Sequence, residues 1–239
     1  MTEKDRDDIP YQKGTQAGYV PHNNEKSGHS IASVAKQKSI DAPDYAVPVP
    51  DSPTSRLSLW LQEASDKKEV NHTAMALSTI NSSGAPRVRF VLCKGVTESG
   101  LRFFTNLQSE KAMDIKNDNR VAAAFYWPNL ERQVRIEGTV SLISDEEADA
   151  YFATRDRLSQ LGAWASQQSR PIASRRELEA AVQDVSTRFE EDIPRPPHWS
   201  GFHLHATVWE FWQEKPGRIH DRWILKKAED EWLTWRLQP

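Results

Sequence analysis

A single cysteine, Cys93, leaves no partner for an internal disulfide and fits a reducing compartment. Long apolar runs are also missing. Nothing in the chain approaches the roughly 20 residues that span a bilayer, so no membrane helix is expected. Neither sign of charge dominates. Lys and Arg number 31 against 34 Asp and Glu, a net charge of -3, so no global basic field calls for nucleic acid or an anionic membrane. The opening Met1-Thr2-Glu3-Lys4-Asp5 carries both signs and no apolar stretch, unlike a secretory signal, and its acidic residues argue against a transit peptide. Cytoplasmic is the expected location. The chain lacks Gly-x-Gly-x-x-Gly, the Gly-x-x-x-x-Gly-Lys phosphate loop and the Gly-x-Ser-x-Gly elbow. His203-x-His205 has no third ligand at nearby spacing, so no metal is expected.

Tryptophan, in contrast, is abundant. There are nine in 239 residues, and seven of them fall between Trp127 and Trp232, which places the folded mass towards the C-terminus. Mean hydropathy is low, -0.70, as expected if part of the chain is not packed. Residues 1–50 are polar, without a sustained period, and end in Ala46-Val47-Pro48-Val49-Pro50. They read as a disordered or loosely attached arm before one domain over 51–239.

Within that domain the hydrophobic period changes along the chain. From Ser52 a helix is expected, with Leu57, Trp60 and Leu61 on one face. Strands are expected over 73–80, 87–94 and 101–106, joined by the turns 82–86 and 98–100. In the second strand Val88, Phe90 and Leu92 share one face, opposite Arg87, Arg89, Val91 and Cys93. A short helix follows with Ser109 as its N-cap, then strands 121–127 and 133–143. Ser144-Asp-Glu-Glu147 and Ser174-Arg-Arg-Glu177 are capping boxes that open two helices. Strands over 202–212, 218–227 and 231–237 close the chain. The early strands are joined by short polar turns, where parallel crossovers need a dozen residues or more, so an antiparallel barrel with helices outside is the expected fold class.

Several side chains carry chemistry. Alternation along 218–222 puts Arg218, His220 and Arg222 in one cationic row, costly to bury without an anion against it. Upstream, Glu210-Phe211-Trp212-Gln213 offers an aromatic wall for a planar ligand. Lys111 at a helix start, after Phe104-Thr105-Asn106, makes an anion site from an ammonium, a hydroxyl and a helix N-terminus. Gln133, and Gln168-Ser169 after a helix, can bond the edge of a heteroaromatic ring. Tyr151 and Arg155 stand one helical turn apart, and Ser159 follows in the next loop, a combination suited to phosphate.

Taken in order, the segments Arg89-Phe-Val-Leu-Cys-Lys94, Phe103-Phe-Thr-Asn106, Glu131-Arg-Gln-Val-Arg135, Tyr151-Phe-Ala-Thr-Arg155, Ser159-Gln-Leu-Gly-Ala-Trp-Ala165, Pro194-Arg-Pro-Pro-His-Trp199, Glu210-Phe-Trp-Gln213 and Arg218-Ile-His-Asp-Arg222 resemble the pyridoxine/pyridoxamine 5'-phosphate oxidases. The resemblance covers about residues 52 to 239. It implies an FMN-binding antiparallel split β-barrel, mainly β with flanking helices, and a homodimer with FMN at its interface. It implies that Arg89, Phe90, Val91, Leu92, Lys94, Phe104, Thr105, Lys111, Gln133, Gln168, Ser169, Trp212 and Arg222 surround FMN. Lys94, Tyr151, Arg155 and Ser159 would hold the substrate phosphate. Arg218 and His220 would be catalytic, lying over the substrate ring and assisting removal of the proton at its 4' group. The implied reaction oxidises pyridoxamine or pyridoxine 5'-phosphate to pyridoxal 5'-phosphate, with O2 as acceptor and release of H2O2. The alternatives are a related flavin oxidase acting on a phenazine precursor, and a split-barrel protein that binds flavin or vitamin B6 phosphate without turnover. One departure concerns charge: family members usually carry Arg before the position of Lys111, where this chain has Glu110, so either its carboxylate points away from a bound phosphate or FMN affinity falls.

Overall fold

The computed structural model describes residues 52–239; the expected arm over 1–50 lies outside the described residues. Helix α1 (Pro53–Asp66) starts where Ser52 accepts from the Ser55 N–H, with a proline in the first turn. It buries Leu57, Trp60 and Ala64. The Trp60 ring meets Trp127 and Phe211 edge-on at 6.4 and 5.2 Å. Each such buried apolar side chain contributes roughly 1.5–3 kcal/mol.

Nine strands then build one antiparallel sheet: β1 (Ala74–Ile80), β2 (Pro86–Leu92), β3 (Gly95–Thr97), β4 (Gly100–Asn106), β5 (Arg120–Trp127), β6 (Arg132–Leu142), β7 (Trp199–Gln213), β8 (Asp221–Ala228) and β9 (Glu231–Arg236). The order is β2-β1-β5-β6-β7-β4-β3, and β8 joins β7 and carries β9. The long strand β7 splits the sheet. Its first half pairs with β4 and its second half with β8, while β6 runs along its other edge. A register shift between Glu137 and Gly138 lets β6 follow that bend. Only glycine fits there, because a Cβ on Gly138 would stand 2.1 Å from the His205 carbonyl oxygen.

The helices sit in the connections: α2 (Glu110–Asn117), α3 (Asp145–Ala153), α4 (Arg157–Ala165) and α5 (Arg175–Arg188). The serine half of each capping box forms, with Ser144 accepting from the Glu147 N–H and Ser174 from that of Glu177, while Glu147 turns to Arg102 and Glu177 accepts the Ala173 N–H instead of closing the box. Ser109 holds the N-cap position of α2, but its hydroxyl donates to the Asn106 carbonyl instead of capping. The main core joins α1 to both halves of the sheet and includes Cys93. A second cluster, Phe152, Leu161, Ile193 and Trp199, packs α3, α4 and α5 near the head of β7.

The structure corrects four expectations. Strand β8 begins at Asp221, and Arg218 lies in the 3-10 turn Pro216–Arg218, where Gly217 and Arg218 have φ of 70° and 62°. Two-residue alternation therefore does not govern Arg218 and His220; the Pro-Gly pair turns the chain first. Arg155 lies beyond the end of α3, and Ser159 is inside α4, whose N-cap is Asp156. Lys94 follows the end of β2 instead of standing on it, with its N–H on the Arg102 carbonyl. Phe211 and Trp212 point to opposite faces. Phe211 is buried and stacked 6.0 Å from Trp209, which leaves Trp212 alone as a wall.

Candidate active site

A trough of about 760 Å³ opens between β2, the end of β4, the head of α2 and the α3–α4 corner. On one wall Lys111 projects from the first turn of α2. Its Nζ donates to Gln168 Oε1 at 2.7 Å, Thr105 Oγ1 at 3.2 Å and Ser109 Oγ at 3.4 Å. Burial lowers its pKa, the nearby Arg89 lowers it further, and Glu110 opposes both. All three acceptors are neutral, so the ammonium keeps its whole charge for an anion. Ser169, at φ 70°, accepts the Glu110 N–H at 3.3 Å. The Glu110 carboxylate reaches out to Arg87 at 4.0 Å and does not line the trough.

The opposite wall comes from α3 and α4. Tyr151 stacks on Phe104 at 3.9 Å and 16°. Arg155, Ser159 and Lys94 line the same space. Asp156 caps α4 by accepting the Ser159 N–H at 2.9 Å, and hydrogen bonding from the Ser159 side chain, then from its N–H, lowers the Asp156 pKa. Arg155 Nη1 is buried with no hydrogen-bond partner. Phe90, Val91 and Leu92 complete the trough from β2. Arg89 is the exception. Its guanidinium turns to Thr79 Oγ1 at 2.7 Å, the Leu77 carbonyl at 3.2 Å and Asp114 at 3.6 Å, and burial is the main cause of its lowered pKa.

The remaining candidates gather at the far end of the sheet, around a basin of about 480 Å³ lined by Trp212, Gly217, Arg218 and His220. The His220 ring lies 4.7 Å from that of Trp212, and its Nδ1 accepts the Lys215 N–H at 3.3 Å. Gln133 pairs with Trp212 across β6 and β7. Arg222 is tied to the buried Glu210 at 2.7 Å and to the Gln238 carbonyl at 3.0 Å, and Glu210 also takes Arg135 at 2.8 Å. Sequence reasoning missed Glu210. Its place two residues before Trp212 was the available sign that the two share a face.

Cross-strand pairs share a face of a sheet. Val88, Phe90 and Leu92 pair with Ser78, Ala76 and Ala74, and Ala76 and Ser78 pair in turn with Ala124 and Ala122. Tyr126 then pairs with Gln133, Gln133 with Trp212, and Trp212 with Arg222. One continuous outer face thus carries the trough's β2 wall at one end and the basin at the other. It is strongly apolar in its first half, with Val88 70%, Phe90 76% and Tyr126 61% exposed. An apolar patch of this kind marks an interaction surface.

Fold and site together define an antiparallel split-barrel protein with a cationic trough. Residues 62–189 match the family described as "Pyridoxamine 5'-phosphate oxidase", and residues 199–239 match the "Pyridoxine 5'-phosphate oxidase C-terminal dimerisation region". The chain belongs to the pyridoxamine 5'-phosphate oxidase family. It is 45% identical over 188 residues to a pyridoxine/pyridoxamine 5'-phosphate oxidase of Leptospira biflexa, covering 78% of this chain and 89% of the relative. It is 45% identical over 192 residues to that of Cupriavidus necator, covering 80% and 91%. Among solved structures it resembles PhzG from Burkholderia lata in complex with tetrahydrophenazine-1-carboxylic acid, with a TM-score of 0.77 and 26% identity over 84% of this chain and 98% of that one. Among the described residues no helix is long and apolar enough to cross a membrane.

Proposed function

We propose that the chain oxidises pyridoxamine or pyridoxine 5'-phosphate to pyridoxal 5'-phosphate, as a homodimer that binds FMN. The observation that carries this reading is one trough lined by three cationic groups, Lys111 at the head of α2 and Lys94 and Arg155 apart from it, with the buried Arg155 Nη1 lacking a hydrogen-bond partner. Two phosphorylated flat molecules, cofactor and substrate, account for so much positive charge in one trough. The relatives at 45% identity favour a vitamin B6 phosphate over a phenazine precursor.

The residues fit FMN. Lys111 and Thr105 at the head of α2 would hold its phosphate, and Gln168 and Ser169 lie beside them. When bound, FMN supplies a two-electron acceptor for the hydride of the substrate C4' carbon and returns the electrons to O2 as H2O2. Lys94, Tyr151, Arg155 and Ser159 would grip the substrate phosphate and orient its ring. Gln133, Trp212, Arg218, His220 and Arg222 stand at the other end of the outer face. A second copy docked on that face by a two-fold axis would bring its basin against this trough, because a two-fold interface joins one patch to its own copy. Arg218 and His220 would then hold the substrate's 4' group across the subunit boundary.

The test is direct. The purified full chain should be yellow and dimeric, bind FMN, and release pyridoxal 5'-phosphate and H2O2 in equal amounts from pyridoxamine 5'-phosphate. A colourless monomer that refuses FMN, or a flavoprotein that ignores both vitamin B6 phosphates, overturns the reading. A second prediction uses the unusual acid at the head of α2. Glu110→Arg should tighten FMN binding severalfold at low salt and less at high salt, since exposed charge pairs are worth about 0.2–1 kcal/mol. Titration by flavin fluorescence at two salt concentrations reads this, and unchanged affinity at both would place the phosphate elsewhere.

A further inference from the structure

Arg155 is held in an unusual way. Burial lowers its pKa, against weaker opposing effects of Tyr151 and Asp156. Desolvated guanidiniums are ordinarily stabilised by a carboxylate. Here no ion pair holds Arg155 among the described residues, and its buried Nη1 is unsatisfied. What lies against the guanidinium is aromatic. Its Cζ is 4.8 Å from the centre of the Trp199 ring and 5.7 Å from that of Phe152. Trp199 is itself fixed. It is buried, stacks on Phe104 at 5.3 Å and 8°, and meets Phe152 edge-on at 5.1 Å. Behind it Arg195 donates to the Trp199 carbonyl at 2.8 Å while gripping Asp145 at 2.7 Å and Asp149 at 2.5 Å on α3.

A carboxylate in place of the indole would hold Arg155 as firmly, but it would occupy the N–H fork and repel an incoming phosphate. A π face compensates the charge from one side and takes no N–H. We infer that Trp199 is a positioning residue that determines specificity for a phosphate monoester: it holds Arg155 by its indole face so that the guanidinium N–H groups stay free for the phosphate, and Arg195 anchors the Trp199 backbone that carries the indole. The inference rests on the reading of Arg155 as part of the phosphate clamp.

The test compares FMN-loaded wild-type, Trp199→Leu, Trp199→Phe and Arg155→Met proteins on pyridoxamine 5'-phosphate and on unphosphorylated pyridoxamine. Trp199→Leu should raise KM for the phosphorylated substrate on the order of ten- to thirtyfold, as expected for a desolvated cation–π contact, with kcat within about twofold. Trp199→Phe, which keeps an aromatic face, should recover most of that loss. Neither should alter kcat/KM for the unphosphorylated amine. Calorimetric binding of pyridoxal 5'-phosphate should weaken by the same factor as KM rises. If Trp199→Leu does not fold, a severalfold rise in KM for Trp199→Phe on the phosphorylated substrate alone decides in favour. Equal losses on both substrates, or an unchanged KM, overturn the inference and leave Trp199 a packing residue. Arg155→Met separates the two levels. If it loses the preference for phosphate while the Trp199 variants keep it, only the present inference falls. If Arg155→Met keeps the preference, the clamp reading falls and takes this inference with it.

Discussion

Arg218→Ala is expected to lower turnover by roughly 10²- to 10⁴-fold while FMN stays bound, the range for removing a group that acts on a reacting centre. The physical basis is placement. Arg218 sits in a Pro-Gly turn with its backbone in the left-handed region, exposed at the rim of the basin beside His220 and Trp212. Such a backbone is sparsely populated for any residue with a Cβ, and a chain that maintains it aims the side chain by doing so. Alanine carries the same backbone penalty as arginine there, so the substitution tests the guanidinium and not the turn. Arg218→Lys keeps the charge but loses the planar fork, and should recover only part of the rate. Flavin absorbance measured on the same samples separates chemistry from cofactor loss. Full turnover in Arg218→Ala would remove this residue from the active site.

The readable and unreadable parts of this molecule divide along physical lines. The helix starts at Ser144 and Ser174 were legible because cap and N–H lie three residues apart, and both serine caps formed although neither glutamate closed its box. The alternation of β6 was legible for the same local reason: Val134 and Ile136 are fully buried. Helix α4 was missed although Asp156 and Ser159 spell its N-terminal bond, because it follows α3 after a short corner without proline or glycine to mark it. The inversion of β2 is more instructive. Alternation shows that Val88, Phe90 and Leu92 share a face, but only the neighbouring strand decides which face is inside. Here Arg89 goes inward to Thr79 and Asp114, while the apolar row goes out. A row of that kind turned to solvent marks an interaction surface. The site followed the same pattern. The motifs named trough and basin residues alike, but not that one chain keeps them at opposite ends of a face.

That separation yields the second large effect. If each active site takes its phosphate clamp from one subunit and its basin from the other, Arg155→Ala and Arg218→Ala should each abolish most activity as homodimers yet complement each other when mixed. In a mixed dimer one site receives both defects and the other receives none, because the two damaged ends belong to different subunits and meet at the same interface. Unfolding and refolding an equimolar mixture, or co-expressing differently tagged chains, should give about half mixed dimers, each with one intact site of two, and so restore about a quarter of wild-type turnover. The magnitude discriminates well at low substrate, where Arg218→Ala is expected at about a hundredth of the wild-type rate or less and Arg155→Ala loses its charge-assisted grip on the phosphate. Isolated mixed dimers should show half the wild-type rate with unchanged KM, because the surviving site is wholly native. Were trough and basin to serve each other within one chain, every site in a mixed dimer would carry a defect and no activity would return. The outer face from Phe90 to Arg222 is a single patch, and a two-fold axis through it crosses its ends. Sharing is then a consequence of where the sheet ends, and a null result in the mixture would deny both the shared site and the face on which it is built.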